Sequence, residues 1–403
     1  MPRFRTLDEI AVRGKRVLLR ADLNVPVKDG VVTDATRIER LAPTIEALIE
    51  KGGKVVVMSH FGRPKGKRDP AFSLRPVIAP LSQAIGGRDV IFAEDCIGEE
   101  AKRVVAQLQP GEVALLENLR FHKGEEADSV DFARALAELG DVYVDDAFSA
   151  AHRAHASIDA LPRLLPSAAG KLMQAELTAL TTALEKPVPP VLALIGGAKV
   201  STKLDLLRFL IGKVDILVVA GAMANTFLFA EGREIGHSVA ERAMAESARH
   251  ILTLARQRNC RVLLPDDALV ASTPELGVAV RTVGIAAVPN DMMILDIGPA
   301  TVTRIAALLG EAHTLVWNGP LGAFETPPFD RGTMAVATKI GELTRAGKLF
   351  SVAGGGDTVA ALDAAGLADE LTYVSTAGGA FLEWLEGREL PGVAALAAAC
   401  ADQ

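Results

Sequence analysis

Short runs of β-branched and aliphatic residues alternate with helix-like patterns along the chain. In the first part, five such runs predict strands, at Arg16–Ala21, Lys54–Ser59, Asp89–Ala93, Val113–Glu117 and Asp141–Asp145. After the first of them, apolar residues recur every three or four positions, as on one buried helix face, at Ile38, Leu41, Ile45, Leu48 and Ile49. Strands that alternate with helices in this way predict right-handed βαβ units around a parallel sheet.

The alternation restarts after a proline cluster at residues 186–190, which cannot continue a helix. Six further strands are predicted, at Val191–Ile195, Asp215–Ala220, Arg261–Pro265, Met293–Ile297, Thr314–Trp317 and Leu349–Ala353. Ser167–Glu185 is rich in helix formers and predicts a single helix between two lobes, and Val393–Ala401 predicts a terminal helix. The expected fold class is α/β, with two Rossmann-like lobes, each a parallel sheet flanked by helices, joined by a long helix and a hinge.

Composition narrows the class of protein. The 403 residues suggest two or three domains, and the formal net charge of -7 argues against sequence-independent nucleic-acid binding. Three distant cysteines form neither a metal-binding spacing nor a disulfide framework, which favours a reducing compartment. The amino terminus lacks the apolar core of a signal peptide, and the most apolar stretch, Ile216–Ala230, is too short to cross a bilayer. We therefore expect a cytoplasmic protein without membrane contact.

Arginines stand close to the ends of several predicted strands. Arg63, Arg120 and Arg153 follow strands of the first lobe, and Arg37 opens the helix after the first strand. Ligands of an open parallel sheet bind at the carboxyl ends of its strands, and arginine donors suit phosphate and carboxylate. Any one of these arginines alone would indicate only surface charge, but together they predict a site for a small, highly anionic molecule.

Glycines cluster at the strand ends of the second lobe. They stand at Gly196-Gly197, Gly221, Gly319 and Gly354–Gly356, each directly after an apolar run. A strand, a glycine turn and a helix start let backbone amides approach a phosphate, so four such junctions predict a nucleotide site. None of these junctions is a Walker A phosphate loop, because the chain contains no GxxxxGK[ST] pattern. It also lacks a GxGxxG fingerprint followed by an acidic residue, which disfavours a dehydrogenase.

Four side chains near these glycines fit the needs of a magnesium nucleotide. Lys199 and Lys203 are four residues apart at a predicted helix start, so we expect them to share a face that points to phosphate. Asp357 suits the single carboxylate that holds Mg²⁺ beside phosphates, and Glu325 suits the ribose hydroxyls. The structural alternatives are surface lysines, a helix-capping aspartate and a solvated glutamate.

The chain resembles the phosphoglycerate kinase family from end to end. The resemblance rests on nine ordered motifs: RADLNVP, TDATRI, SHFGRPKG, LENLRFHKGEE, DAF…AHRAHAS, GGAKVSTK, WNGPLGAFE, GGGDT and STAGGA. It implies a monomeric two-lobed enzyme that transfers a phosphoryl group between 1,3-bisphosphoglycerate and Mg-ADP, giving 3-phosphoglycerate and ATP. It also implies a substrate lobe at residues 1–170 plus 388–403, a linker helix at 171–186 and a nucleotide lobe at 187–387.

The resemblance carries roles to individual residues. The residues implied to bind the acid substrate are Asp22, Asn24, Arg37, His60, Arg63, Arg120 and Arg153. Those implied to bind the nucleotide are Gly197, Lys203, Gly221, Asn318, Glu325, Gly355, Gly356, Asp357 and Thr358, with Asp357 also on magnesium. Those implied to act on the phosphoryl group in flight are Arg37, Lys199, Lys203 and Gly378.

The implied chemistry needs no acid or base from the protein. The leaving carboxylate of an acyl phosphate is a weak base, and the attacking ADP oxygen is already ionised. Catalysis then reduces to positioning and charge neutralisation, so His60, His152 and His155 are expected to be binding or structural groups. Closure around both substrates, with hinges at the ends of Ser167–Glu185 and at Ser375–Gly379, would exclude water.

The chain departs from the family pattern at a few positions. Asp145, Ser149 and Ala150 stand where the family usually has Asn, Gly and Thr, and Ala377 stands where it often has Gly. An alanine cannot easily adopt a positive φ, so these departures bear on hinge behaviour and turnover. Two rival functions remain open at this point: a sugar or carboxylate kinase on the same scaffold, and a non-catalytic relative that only binds nucleotide or an anionic metabolite.

Overall fold

A computed structural model describes residues 4–401 of the chain, which divide into two compact units. The first unit comprises Met1–Thr178 and Glu389–Gln403, and the second comprises Ala179–Arg388. The boundary falls inside a helix, so one helix contributes its first half to one unit and its second half to the other. Within residues 4–401, no helix combines the length and the apolar character needed to cross a bilayer.

The first unit is built on one six-stranded sheet. The strands of this unit, six in the sheet and two in a separate hairpin, are β1 (Arg16–Arg20), β2 (Val27–Lys28), β3 (Val31–Val32), β4 (Lys54–Met58), β5 (Val90–Ala93), β6 (Val113–Leu116), β7 (Val142–Asp145) and β8 (Ser167–Ala169). Its helices are α1 (Thr36–Glu50), α2 (Ile78–Ala84), α3 (Gly98–Gln107), α4 (Lys123–Glu126), α5 (Val130–Ala137) and α6 (Lys171–Leu184), the last of which continues into the second unit. The sheet order is β5-β6-β4-β1-β7-β8 with every pair parallel, while β2 and β3 form a separate hairpin.

The second unit holds two sheets. Its strands are β9 (Val191–Ile195), β10 (Ile216–Val219), β11 (Arg261–Leu263), β12 (Asp267–Ala271), β13 (Arg281–Gly284), β14 (Met293–Ile297), β15 (Thr314–Asn318), β16 (Phe350–Gly354) and β17 (Tyr373–Ser375). Its helices are α7 (Leu204–Ile211), α8 (Gly221–Ala230), α9 (Ala245–Gln257), α10 (Pro299–Glu311), α11 (Arg331–Arg345), α12 (Gly356–Ala365) and α13 (Gly378–Leu385), after which α14 (Pro391–Ala401) returns to the first unit. The parallel sheet has the order β11-β10-β9-β15-β16-β17, and β13-β12-β14 form a small antiparallel sheet.

The order of the second parallel sheet defines where a ligand binds. The chain builds outward from β9 through β10 to β11, then crosses to β15 and builds outward on the other side. The crevice beyond the carboxyl ends of β9 and β15 is therefore a topological switch point, where ligands of doubly wound folds bind. Gly196 follows β9 and Gly319 follows β15, so two of the predicted glycine junctions lie at this position.

Hydrophobic burial explains why the apolar spacing in the sequence correctly predicted the helix α1. Ile38, Leu41, Ile45 and Leu48 on α1 are at most 1% exposed and pack in one cluster with Val55 and other strand residues of the first sheet. Burying each such side chain contributes roughly 1.5–3 kcal/mol. The 3-and-4 spacing thus directs a whole helix face into the core.

All eleven predicted strands are present, with ends that differ by up to two residues, but the structure corrects other predictions. Ser167–Ala169 is not the start of the linker helix: it pairs as β8 with β7, and the helix begins only after Gly170. A side chain at Gly170 would come within 2.3 Å of the Asp146 carboxylate, so a glycine separates strand from helix there. Met293–Ile297 joins the antiparallel sheet, and the neighbouring strands β12 and β13 were not predicted.

Candidate functional site

The carboxyl ends of β1 and β4 bring the first group of predicted residues together. Asn24 follows β1, and its side-chain oxygen accepts a hydrogen bond from the Gly62 amide after β4, at 2.9 Å. The Gly62 carbonyl in turn accepts a bond from Arg120 Nη1 at 2.8 Å. Gly62 has a φ of 57°, and a Cβ there would lie 2.3 Å from the Phe72 ring, so only glycine fits this junction.

Asp22 holds Arg37 at the edge of the same group. Arg37 Nη1 donates to Asp22 Oδ2 at 2.9 Å and to the Asn24 carbonyl at 3.2 Å, while 39% of the Arg37 side chain stays exposed. Burial raises the pKa of Asp22, but the Arg37 guanidinium and the hydrogen bonds from the Ser149 hydroxyl and the Asn24 amide counter burial, and that pKa is lowered overall. Asp22 is therefore ionised at neutral pH and orients the Arg37 guanidinium.

Like charges crowd the interior of this first half-site. Burial and the positive charge of Arg153 lower the pKa of Arg120 to about 10, although Glu126 lies 3.5 Å away. Burial, with Arg20 and other cations, holds the pKa of His60 well below its usual range, so the ring is neutral. Burial and the positive charges of Arg120, Arg20 and Arg153 lower the pKa of His155 to about 4. A bound anion would relieve this repulsion.

Arg20 is a member of the cluster that sequence reasoning missed. It is fully buried at the end of β1, where its Nε donates to Ser157 Oγ at 2.8 Å and its Nη2 lies 3.2 Å from His60 Nδ1. The available signal was an arginine as the last residue of an apolar strand. Charged side chains are rarely buried, so this position did not suggest a site residue. Buried Glu125, which accepts from Ser157 at 2.6 Å, provides the opposing charge.

The remaining predicted residues of this half-site differ in position. Arg153 is half-buried and its Nε donates to His152 Nε2 at 3.2 Å. Arg63 is exposed in the loop after β4. The half-site thus combines Arg20 with six predicted residues and has Arg63 at its exposed border; the six are Asp22, Asn24, Arg37, His60, Arg120 and Arg153.

The second half-site surrounds a cavity of about 330 Å³ in the second unit. Four predicted residues line it: Gly197, Gly221, Glu325 and Asp357. Apolar side chains that sequence reasoning did not select complete the wall, namely Val239, Met293, Ile294, Leu321 and Phe324. Val239, Met293 and Ile294 come from a distant loop and from β14 of the antiparallel sheet, so no local motif indicated them, whereas Leu321 and Phe324 lie within the WNGPLGAFE motif. An apolar wall with three carboxyl groups, of Asp296, Glu325 and Asp357, suits a flat base and a sugar phosphate.

Lys203 lies beneath this cavity and is bound to the strand ends. Its Nζ donates to the Gly196 carbonyl at 2.6 Å and to Asn318 Oδ1 at 2.7 Å. Burial lowers the pKa of Lys203 to about 8, and the charge of Asp357 partly opposes this shift. The ammonium therefore has a carboxylate close enough to influence it, and added phosphate charge would raise its pKa.

The predicted helix face shared by Lys199 and Lys203 is wrong. The helix α7 begins only at Leu204. Lys203 therefore occupies its N-cap position, and Lys199 lies in the irregular segment before it. Lys199 is exposed and lies near the Glu241 carboxylate, whereas Lys203 points inward. The two lysines therefore do not form a pair on one surface.

Most glycine amides at the strand ends are occupied by the protein itself. The Gly197 amide donates to the Pro320 carbonyl at 3.2 Å, the Gly221 amide to the Leu321 carbonyl at 3.0 Å and the Gly319 amide to Thr358 Oγ1 at 2.7 Å. These three junctions close the floor of the cavity and do not offer their amides to phosphate. The expectation of four equivalent phosphate cradles is corrected in this respect.

The turn between β16 and α12 retains the geometry of an anion site. Gly355 has a φ of 100° and precedes α12, whose first residues Gly356 and Asp357 are exposed. Buried Thr358 donates to the Gly354 carbonyl at 3.0 Å, and Asn318 Nδ2 donates to the same carbonyl at 2.7 Å. Asn318 and Thr358 thus shape the turn, and the start of α12 presents amides and the Asp357 carboxylate to the cavity side.

Gly378 opens α13 at the carboxyl end of β17, and a Cβ there would meet open space. The preceding Ala377 has a φ of -93°, so the alanine is unstrained at the position where the family often has glycine. Neither Gly378 nor Lys199 lines the 330 Å³ cavity.

Comparisons with known proteins converge on one family. The family model described as "Phosphoglycerate kinase" matches residues 7–388. The chain is similar to the phosphoglycerate kinases of Methylorubrum extorquens strain PA1, with 59% identity over 99% of this chain and 100% of the relative, and of Cereibacter sphaeroides strain ATCC 17025, with 58% identity over 98% and 99%. The solved phosphoglycerate kinase of Coxiella burnetii superposes with a TM-score of 0.91 at 41% identity, covering 98% of this chain and 99% of that one. For the Pyrococcus horikoshii OT3 enzyme the TM-score is 0.82 at 30% identity, covering 99% and 100%.

Proposed function

This chain belongs to the phosphoglycerate kinase family, and we propose how its own residues carry out the transfer of a phosphoryl group between 1,3-bisphosphoglycerate and ADP. The activity is that of a glycolytic phosphotransferase with a carboxyl group as acceptor, giving 3-phosphoglycerate and ATP. The non-catalytic binding relative is not favoured.

The first half-site is proposed to hold the acid substrate. Asp22 and Asn24 would bind the glycerate hydroxyl and carboxylate end, and its anionic groups would be bound by Arg37, His60, Arg63, Arg120 and Arg153. The observation that carries this proposal is the crowding of Arg20, Arg120 and Arg153 in a buried position, where burial together with the neighbouring positive charges lowers the pKa values of Arg120 and His60. Guanidinium groups that repel one another gain most from a substrate with several negative charges.

The second half-site is proposed to hold the nucleotide. Its apolar wall would accept the base, Glu325 the ribose hydroxyls, and the start of α12 with Lys203 the phosphates. The residues that would shape or contact this site are Gly197, Gly221, Asn318, Gly355, Gly356 and Thr358. Lys203 at the floor and Asp357 on the wall are close enough to interact.

Magnesium fits this half-site through a single group. Asp357 is an exposed carboxylate at the cavity, and Mg²⁺ is usually held by one or two carboxylates together with phosphate oxygens. When bound, the ion would neutralise phosphate charge. Asp357→Asn should weaken Mg-ADP binding while 3-phosphoglycerate binding stays normal, and equal loss of both would contradict this assignment.

The proposed mechanism uses positioning and charge, without an acid or a base from the protein. His60 is neutral and Asp22 is ionised and paired, so neither group is prepared to move a proton. The charge that spreads over the phosphoryl oxygens in the transition state would be stabilised by Arg37, Lys199, Lys203 and the start of α13 at Gly378. Because transfer is direct, both half-sites must meet around one phosphoryl group in the reactive complex.

A coupled assay of ATP-dependent phosphorylation tests the function. The expected result is rapid turnover with 3-phosphoglycerate and background turnover with sugars or other carboxylates as acceptors. Preference for a sugar acceptor would support another kinase on this scaffold, and nucleotide binding without turnover would support the non-catalytic relative.

The cellular setting is also a proposal. A cytoplasmic monomer is proposed, because the three cysteines are free and each half-site is built by residues of one chain. Sedimentation of the purified protein at micromolar concentration should give the mass of one chain.

A further inference from the structure

A second cluster of metal-ligating groups lies outside both half-sites. Asp95 and Cys96 follow β5, and His122 follows β6, which pairs with β5 through Ala93 and Leu116. Because neighbouring parallel strands end at the same sheet edge, these two segments come together although they are distant in the sequence. One ligand atom from each of the three residues lies within 4.8 Å of the other two.

The local geometry orders this cluster. Asp95 Oδ1 lies 2.6 Å from His122 Nε2 and accepts the Cys96 amide at 2.7 Å. The His122 ring stacks on Phe132 with centroids 5.4 Å apart, which fixes the direction of its Nε2. Asp95 Oδ2 faces the other way, 3.9 Å from Arg68 Nη1. One carboxylate oxygen, one imidazole nitrogen and one thiol sulfur therefore lie within 4.8 Å of one another.

We propose that Asp95, Cys96 and His122 form a binding site for a zinc-like divalent cation. A tetrahedral Zn²⁺ holds sulfur at about 2.3 Å and nitrogen or oxygen at about 2.0 Å, which separates its ligand atoms by roughly 3.3–3.8 Å. The observed separations, from 2.6 Å up to 4.8 Å, bracket these values, so small side-chain rotations reach them. Thiolate and imidazole ligands select Zn²⁺ over Mg²⁺.

Exposure of the three residues supports this site. Cys96 is fully buried, while the His122 and Asp95 side chains are 30% and 35% exposed. A cation can therefore enter from solvent past histidine and aspartate and meet the thiol at the inner end. Water would complete the fourth position. On binding, the thiol releases its proton to solvent, and the imidazole proton moves from Nε2, where it bonds Asp95 Oδ1, to Nδ1, which leaves the Nε2 lone pair for the cation.

Binding would link two segments of the first unit. One is the loop between β5 and α3, and the other is the turn that carries both Arg120 and His122. The site is thus separate from the proposed magnesium site, whose Asp357 belongs to the second unit.

Cobalt titration of the full chain tests the proposal. The probe is Co²⁺ added to untagged, chelator-treated protein without nucleotide, because cobalt bound to thiolate gives a near-ultraviolet charge-transfer band that carboxylates alone do not give. We expect the band to saturate at one equivalent of Co²⁺ and to disappear when Zn²⁺ displaces the cobalt. Absence of the band in the unaltered protein would overturn the proposal.

Matched variants identify the ligands. Cys96→Ser should abolish the band and His122→Gln should weaken cobalt binding at least tenfold, whereas Cys260→Ser should leave both unchanged, since Cys260 is a buried cysteine outside the cluster. A band that survives in Cys96→Ser would refute the site. Should Cys96→Ser fail to fold, Asp95→Asn, at a partly exposed ligand, should weaken cobalt binding at least tenfold, and unchanged affinity in that variant would refute the site. Zn²⁺ should also raise the melting temperature of the unaltered protein but not that of His122→Gln.

Discussion

Arg37 is the residue that we propose stabilises the phosphoryl group during transfer, and its side chain is already oriented. Its Nη1 is held by Asp22 and by the Asn24 carbonyl, while 39% of the side chain faces solvent. The guanidinium is therefore oriented before any ligand arrives. Little free energy is then needed to reorient the guanidinium when negative charge develops on the phosphoryl oxygens.

Replacing Arg37 by Ala should lower kcat by about a hundredfold or more and change the substrate KM by less than about threefold, because the group acts mainly in the transition state. Steady-state kinetics in both directions measure this split. Arg37→Lys should recover only part of the rate, since a lysine lacks the rigid fork, and Arg13→Ala, at an exposed arginine elsewhere, is the matched control. Normal kcat with weakened binding would contradict the assignment.

Asp145 is a second informative residue, because the family usually has asparagine there. It lies fully buried at the end of β7, where its Oδ1 accepts the Ala147 amide at 3.0 Å and burial raises its pKa to about 6. In the unfolded chain the same carboxyl has a pKa of about 3.9. The unfolded state therefore ionises first as pH rises, and the native state loses relative stability between about pH 4 and 6.

Asp145→Asn should consequently stabilise the protein at pH 7 by about 2–3 kcal/mol, at about 1.36 kcal/mol for each pKa unit of difference. The stability difference between variant and parent should shrink as pH falls and vanish below about pH 4. Urea unfolding across this pH range measures it. A difference that does not depend on pH would mean that the carboxyl does not titrate as described.

Lys203 should make nucleotide binding dependent on protons. Its pKa of about 8 should rise when phosphate charge arrives, so binding at about pH 8.5 should take up protons and binding at about pH 6.5 should not. Calorimetric titrations of Mg-ADP in two buffers with different ionisation enthalpies measure the uptake. Lys203→Arg keeps its charge across this range and should show none, whereas uptake of equal size in that variant would assign the proton to another group.

At the scale of elements, the turn from β16 to α12 shows how a backbone conformation builds a site. Gly355 adopts a φ of 100°, and a Cβ there would lie 2.5 Å from Asn318 Nδ2. Its neighbour Gly356 is the first residue of α12, and a Cβ at that position would meet open space. Two adjacent glycines thus have different requirements.

Gly355→Ala should lower the free energy of unfolding by roughly 1–3 kcal/mol and weaken Mg-ADP binding at least tenfold, because strain and contact with Asn318 distort the turn. Gly356→Ala should leave stability unchanged or slightly higher, since alanine favours a helix. Thermal unfolding and ADP titration of this pair provide the comparison. Equal effects of the two substitutions would argue against the role of the turn conformation.

Two departures from the family pattern are explained by the elements that carry them. Ala377 precedes α13 with a negative φ, so the element does not require glycine there. Ser149, in the short 3-10 helix at Phe148–Ala150, donates from its hydroxyl to Asp22 Oδ2. The serine therefore adds a partner to the carboxylate that orients Arg37. Nothing comparable explains Ala150.

At the scale of the whole molecule, each of the two units carries one of the two proposed anion sites. The first relies on guanidinium groups at strand ends, and the second on a glycine turn, a lysine and an apolar cavity. Direct transfer requires both sites in one reactive complex, and water must then be excluded from the acyl phosphate. We propose that the ends of α6 and the segment Ser375–Gly379 act as hinges for this closure.

Small-angle scattering should show a smaller radius of gyration with 3-phosphoglycerate and Mg-ADP together than without ligands. Each ligand alone should produce a smaller change, because closure needs contacts from both half-sites. Identical scattering in all four conditions would remove the hinge proposal, while the assignment of the two half-sites would stand on its own tests.

Local patterns along the chain were sufficient to predict the α/β class, all eleven strands, the buried face of α1 and the family that the motifs indicate. These features follow from local periodicity and from short segments whose chemistry is complete within a few residues. The sequence also indicated most of the polar groups in both half-sites, because motifs at strand ends report directly on the edge where ligands bind.

Which groups lie together, and which hydrogen bonds each one makes, became clear only in the folded chain. Arg20 joined the basic cluster, Lys199 separated from Lys203, three glycine amides turned inward, and β14 supplied part of the cavity wall. Strand order, burial and hydrogen bonding between distant segments produced these outcomes. Such contacts depend on which strands become neighbours in the folded sheet, and that information is not local to any stretch of the chain.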